Sequence, residues 1–343
     1  MLPAHFPEPE LFLPGTGEPP LRWGVVGVGW IAEKFVPAVR DHTAQRIVAV
    51  AARSMSRAAA FAAEHGIEVA LDSVEQLVSR SDIDAVYVAT PQSAHLEVGL
   101  AAIAAGKHVL IEKPLALDAG EARILVEAAR AAGVLLMEAM WSRYLPQASV
   151  IRTLLADGVL GEVHSVVADH GQAIPDYPNH RLHKPELGGG ALLDIGIYPI
   201  QFDSMVLGAP REIVAVGAMT ESGVDAYSSI VLTHEGVARS TITTSILTHT
   251  PNTASVSGTE ARIELDPFFF TPTTFRLYEA EIFGASMAWS DPTGVESFAA
   301  LSWEATAFAR YVGEGRTESP LHPLDETVSI LATIDAVRAQ LRR

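Results

Sequence analysis

Glu112-Lys113-Pro114 follows a short apolar run, His108 to Ile111, and sets an ammonium where a buried parallel strand must stop, since Pro114 has no N–H for a ladder. In an open α/β sheet, ligands bind at the carboxyl ends of the strands. Taken alone, the triplet reads equally as a solvated ion pair beside a turn proline, with Glu112 holding Lys113 in place. Further on, Gly188-Gly189-Gly190-Ala191-Leu192-Leu193-Asp194-Ile195-Gly196-Ile197-Tyr198 offers a carboxylate and a phenol four positions apart, on one face of any helix running through them. Such a pair suits proton transfer to or from an alcohol, and an ammonium such as that of Lys113 would lower the phenol's pKa toward neutrality. The plainer alternative is a capping Asp194 and a partly buried Tyr198.

A third set sits near the amino terminus. An apolar strand ending at Val26 runs into Gly27-x-Gly29-x-x-Ala32, and a helix with Phe35 and Val39 on one side follows. This is the dinucleotide pattern in its required context. Gly27 permits the tight turn, Gly29 lets the backbone approach a pyrophosphate, and the helix start at Trp30 and Ile31 offers N–H groups to phosphate. The next strand, Ile47 to Ala52, ends without the acidic residue that binds the ribose hydroxyls of NAD. Arg53, Ser54 and Arg57 stand there instead, suited to a 2′-phosphate, so the expected cofactor is NADP rather than NAD.

Smaller candidates lie between these sets. Thr90-Pro91 ends another buried strand, and His95 opens the helix after it, either facing cofactor and substrate or simply packed. Trp141 and Arg143 follow a strand and suit a pocket wall as well as they suit ordinary packing. His180-Arg181-Leu182-His183 has metal-ligand spacing but lacks helical context, so no metal is expected, and Arg181 reads better as a group facing a polar substrate.

The elements that must carry these residues are legible in outline. Strand and helix alternate through 22–140, the doubly wound signature, with Asp118 and Glu121 forming a capping box at the start of one helix. From Glu212 to about Glu279 short alternating segments are separated by turns without helices, which means antiparallel pairing. Helices return at about 297–313 and 324–341. The expected architecture is α/β, with an irregular, proline-rich arm at 1–20, a Rossmann domain at 21–140, a second domain carrying a large, mostly antiparallel sheet at 141–330, and a terminal helical stretch at 331–343.

Composition narrows the classes. A net charge of −17 argues against nucleic acid or anionic membrane as a partner. The absence of cysteine excludes disulfides, thiolate nucleophiles, iron–sulfur clusters and cysteine-ligated zinc. With no signal-like segment and no apolar run long enough to span a bilayer, the expected location is cytoplasmic.

Together, the glycine pattern, Thr90-Pro91, Ala105-Gly106-Lys107-His108-Val109 with Glu112-Lys113-Pro114, and the stretch from Gly188 to Tyr198 resemble the glucose-fructose oxidoreductase and inositol dehydrogenase family, in order and spacing, over nearly the whole chain. Met137-Glu138-Ala139-Met140-Trp141 and Arg143 resemble its branch of dimeric dihydrodiol dehydrogenases and NADP-dependent D-xylose 1-dehydrogenases. The resemblance implies reversible hydride transfer between NADP(H) and a sugar or vicinal diol, and a homo-oligomer formed through the C-terminal sheet. It implies that Lys113 contacts the reacting oxygen or the nicotinamide ribose, that Tyr198 exchanges the proton and that Asp194 orients substrate. The inositol branch carries His where Tyr198 stands, which disfavours inositol. An NAD-dependent glycosidase, a non-catalytic NADP-binding regulator and a scaffold are the rival readings. Arg53 speaks against the first, and the set Lys113, Asp194 and Tyr198 against the others.

Overall fold

The computed structural model describes residues 2–174 and 180–342. The chain forms two compact units, Leu11–Tyr144 with Val295–Val328, and Met1–Glu10 with Leu145–Gly294 and Ser329–Arg343.

The first unit holds a parallel six-stranded sheet. In chain order its elements are β1 (Arg22–Val26), α1 (Trp30–His42), β2 (Arg46–Ala51), α2 (Met55–His65), β3 (Val69–Leu71), α3 (Val74–Val78), β4 (Ala85–Val88), α4 (His95–Ala104), β5 (His108–Glu112), α5 (Ala119–Ala132) and β6 (Leu136–Ala139). The strand order β3-β2-β1-β4-β5-β6 reverses at β1 and β4, the switch point where this architecture opens a crevice. β4 and β6 are buried along their whole length, as a sheet covered on both faces requires. The capping box forms as read, with the Asp118 side chain accepting the Glu121 N–H at 2.8 Å.

Residues 295–328 are grouped with the second domain in the sequence reading, but they pack with the Rossmann unit. A long helix there lays Phe308 against Trp23 of β1, ring centres 4.8 Å apart. Strand–helix alternation ends before this return, so the sequence pattern alone does not reveal it. The arm is tied down in two places. Phe6 packs edge-on against Phe275 in the second unit, and Phe12, 2% exposed, packs edge-on against Tyr144 and Tyr311 in the first.

The second unit contains α6 (Pro146–Ala156), β7 (Val163–Gly171), α7 (Ile197–Leu207), β8 (Glu212–Met219), β9 (Asp225–Thr233), β10 (Arg239–Ser245), β11 (Ala254–Gly258), β12 (Ala261–Leu265), β13 (Phe275–Glu279) and β14 (Ser286–Trp289). Its sheet runs β14-β13-β12-β11-β7-β10-β9-β8, antiparallel except that β7 and β10 pair in parallel. One face is buried, with Ile230, Leu232 and Ile242 inward and α7 packed on β7 and β10. On the other face Val214 pairs with Val231, Val231 with Thr241 and Thr241 with Val167, a lateral row whose three valines are exposed. The Gln340 amide accepts from Ala215 N–H and donates to Ile213 O, which covers the backbone of edge strand β8.

Candidate active site

The dinucleotide turn is built by close backbone approach. Gly27 has φ +103°, and a Cβ there would lie 2.4 Å from Ala89 O, so the loop after β1 presses on the end of β4 and admits only glycine. Gly29 is different: a Cβ would meet nothing nearer than Ala89 O at 4.0 Å. Gly29 is also the N-cap of α1 and supplies no side-chain cap, so the N–H groups of the first turn, Trp30 and Ile31 among them, have no side-chain acceptor from the cap. Thr90 Oγ1, just past the end of β4, is buried without a hydrogen-bond partner among the described residues. A tight glycine, an open glycine, an uncapped helix start and an orphan hydroxyl fit a dinucleotide phosphate and ribose at this crevice. At the end of β2, Arg53 is exposed and Ser54 is the N-cap of α2, its hydroxyl 2.8 Å from that of Ser56. Arg57 donates to Val28 O at 3.3 Å, which ties its guanidinium to the glycine loop.

Lys113 sits where β5 ends, and the turn that carries it is clamped from several sides. Glu112 is buried and accepts the Tyr87 hydroxyl at 2.5 Å, while the Tyr87 ring stacks on Phe35 of α1. The Lys113–Pro114 peptide is cis. Pro114 O lies 2.9 Å from His95 Nδ1, and Leu115 N–H donates to Glu138 Oε1 at 2.9 Å. Glu138 Oε2 in turn accepts from His322 Nε2 at 2.8 Å and from Thr327 Oγ1 at 3.1 Å.

The second unit carries Asp194 and Tyr198. The Asp225 carboxylate accepts Leu192 N–H at 2.6 Å, and burial, opposed by that bond and by Arg338, pushes its pKa up. Gly190 has φ +118°, and a Cβ there would strike Asp225 Oδ1 at 2.3 Å. A Cβ on Gly189 would strike the carbonyls of Leu182, Lys184 and Arg181. The glycine run therefore lets this segment nest between Asp225 and the turn at 181–184. From Leu192 to Gly196 the helix widens to a π turn before α7 begins, a departure common at functional sites. Asp194 Oδ1 lies 2.6 Å from Arg181 Nη2. The Tyr198 ring stacks on Phe270 at 4.6 Å, and Phe270 stacks on His170 at 4.2 Å. His170 is held by Ile195 O at 3.0 Å and the Gln172 amide at 2.9 Å.

Residues 21–140 match an oxidoreductase family with an NAD-binding Rossmann fold, Gfo/Idh/MocA, and residues 149–264 match that family's C-terminal domain. The chain is 36% identical over 324 residues to trans-1,2-dihydrobenzene-1,2-diol dehydrogenase of Xenopus laevis, covering 93% of this chain and 98% of the relative. The human protein of the same name is 36% identical over 327 residues, covering 93% and 96%. A 3-ketoreductase from Actinomadura kijaniata, solved in complex with NADP and TDP-benzene, superposes with a TM-score of 0.82 at 30% identity, covering 94% and 98%. That reductase has also been solved with a lysine replaced by alanine and with a tyrosine replaced by phenylalanine. The chain belongs to the Gfo/Idh/MocA oxidoreductase family.

As a member of that family it is an oxidoreductase that uses a nicotinamide dinucleotide. Two residues assigned to its ligands from the sequence are spent elsewhere. His95 is fully buried, with Nδ1 on Pro114 O and Nε2 3.1 Å from Thr90 O, so it braces the two loops. Burial lowers its pKa, and a neutral imidazole has one N–H to donate to these carbonyls. Arg143 is 2% exposed and bound to Glu326 at 2.6 Å and to Leu321 O at 3.2 Å, the packing alternative of the sequence reading. Trp141 is buried and stacks on Phe298, which packs edge-on against the exposed Trp30. His180 Nδ1 accepts Leu182 N–H at 3.3 Å, so it shapes the turn that presents Arg181. Asp225, Phe270 and Glu138 escaped the sequence reading as supports of the site. Glu138 alone left a trace, as an acid ending a buried strand.

Proposed function

We propose that this member of the family transfers a hydride reversibly between NADP(H) and a hydroxyl- or carbonyl-bearing carbon of a sugar or vicinal diol. Two observations, one in each unit, support the reading: the polar, aromatic-walled group of Asp194 and Tyr198 with Phe270, and the clamped turn that carries Lys113 at the end of β5. Relatives named for a dihydrodiol support a diol, and the NADP of the similar 3-ketoreductase supports the cofactor. NADP is further supported by Arg53 and Arg57 at the end of β2, where no acid would repel a 2′-phosphate.

When bound, the nicotinamide accepts or supplies the hydride. The chain's own groups do the rest. In oxidation, the alcohol's C–H electron pair leaves as hydride and its O–H proton passes to the Tyr198 oxygen. The Lys113 ammonium steadies the negative charge that develops on the substrate oxygen. Asp194, oriented by Arg181, accepts a second substrate hydroxyl and sets which carbon faces the nicotinamide. We also assign the exposed row Val214, Val231 and Val167 to contact with a second copy of the chain. A cytoplasmic location suits a chain without cysteine.

The test pairs substitution with a panel. Tyr198→Phe keeps the ring on Phe270 and removes only the hydroxyl, and Lys113→Met removes the charge. Each lowers kcat by about 10²- to 10⁴-fold on the best aldose, diol or dicarbonyl while NADP still binds. Near-normal turnover in both variants refutes the assignment.

A further inference from the structure

Three aromatic rings line up at the carboxyl edge of the Rossmann sheet, and the hydride-transfer reading uses none of their side chains. Trp30, the first residue of α1, is 58% exposed, an unusual state for an indole. Phe298 packs edge-on against it, ring centres 5.0 Å apart, and stacks on Trp141 at 5.9 Å with the ring planes 15° apart. Trp141, 5% exposed, lies just after the end of β6. In the strand order β1-β4-β5-β6, the ends of β4 and β5, followed by Thr90 and Lys113, lie between the two tryptophans. The three strand spacings from β1 to β6 amount to about 14 Å, a gap that the rings bridge through Phe298.

The segment that supplies Phe298 is fixed within the same unit. It forms a 3₁₀ turn, Ser297–Ala300, which packs on α1 and leads into the helix over 301–313. Ser297 takes φ +52°, uncommon for a residue with a side chain. Such positions persist where the surroundings fix them, and they gather at ligand clamps. Lys34, one turn further along α1, sets its ammonium 6.0 Å from the Trp30 ring centre. The indole leaves the chain directly after Gly29, whose helix start offers uncapped N–H groups. It is thus backed by protein and open to solvent, beside the turn that fits a dinucleotide.

We propose that Phe298, anchored on Trp141, holds the Trp30 indole as a clasp over the bound dinucleotide and so sets the rate at which the cofactor leaves. Trp30 is the contact, and Phe298 is a positioning residue that acts through it. The inference rests on the NADP reading above and adds what retains the cofactor. Covering the indole's open face stabilises the complex without touching the reacting carbon, so the effect falls on dissociation rather than on encounter.

The other four tryptophans, Trp23, Trp141, Trp289 and Trp303, are at most 6% exposed, so acrylamide quenching of tryptophan emission reports Trp30. Trp30→Phe confirms that assignment. Saturating oxidised NADP is expected to remove the quenchable emission in the wild type. NADPH is then displaced by excess oxidised NADP in a stopped flow and followed by nicotinamide fluorescence. Phe298→Ala is expected to release it about tenfold faster and to keep Trp30 quenchable in the complex, while Phe298→Tyr, which keeps the ring, stays within about twofold of wild type. Trp30 left quenchable in the wild-type complex, release from Phe298→Ala at the wild-type rate, or equal acceleration in Phe298→Tyr overturns the clasp. The same series with NAD and NADH separates the two readings. A wild type that binds only NAD refutes the NADP assignment, and the clasp is then decided by the release of NADH.

Discussion

Glu304 is the most exacting test of how the Rossmann unit is assembled. Its side chain is fully buried, and neither carboxyl oxygen has a hydrogen-bond partner among the described residues. Burial first, and then the charge of Glu112, push its pKa well above the ordinary glutamate value of 4.5. The sign of the consequence is fixed. Below the unfolded-chain value both states hold the proton. Above it the unfolded chain releases its proton while the folded chain keeps it, so this group's share of stability is lost as pH rises toward the folded pKa. The slope is ~1.4 kcal/mol per pH unit for one proton. For a chain of this length that is roughly 2 °C in Tm per unit. Glu304→Gln keeps the shape and removes the titration. The difference in Tm, variant minus wild type, measured by calorimetry from pH 5 to pH 8, therefore climbs steadily, with every other titrating group cancelling. A flat difference across that range would show that Glu304 ionises as readily in the folded protein as in the unfolded chain, and would sink the reasoning.

The cofactor reading predicts that Arg53→Glu with Arg57→Glu lowers the ratio of kcat/KM for NADP to that for NAD at least about tenfold, ~1.4 kcal/mol, because an acid at the end of β2 repels a 2′-phosphate; an unchanged ratio counts against it. Glu138→Gln places an amide against the donors His322 Nε2 and Thr327 Oγ1. It should cost about 1.5–3 kcal/mol of stability and lower kcat more than NADP affinity, and a variant with wild-type Tm and kcat would show that the Leu115 clamp does not matter.

Local features were legible because local rules govern them. Gly27 was readable because one turn demands a positive φ, and Asp118 because its partner is three residues away. The antiparallel sheet was readable from short spacing, though β14 lies beyond the stretch read and β7 pairs with β10 in parallel, which spacing cannot reveal. The glycine run at 188–190 permits close approach, but its partners are not legible in the sequence. Two of the glycines make room for Asp225 and for the carbonyls of 181–184. Asp225 is far along the chain, and no pattern links it to Leu192.

His95 and Arg143 share one feature. Each has the type and position of a ligand contact, at the carboxyl edge of the sheet, and each is spent on a partner that local sequence does not announce. Arg143 meets Glu326 from the segment that returns at 295–328. The same segment brings His322 and Thr327 to Glu138 and sets Glu304 beside Glu112. Lys113 is flanked in sequence by Glu112 and by the turn that Glu138 holds through Leu115. The turn that carries Lys113 is thus braced by residues read as a separate C-terminal part of the chain. The motif names the lysine, and the returning segment braces its turn. Substitutions at His322 or Thr327 should accordingly act through the Lys113 turn rather than through the glycine loop after β1.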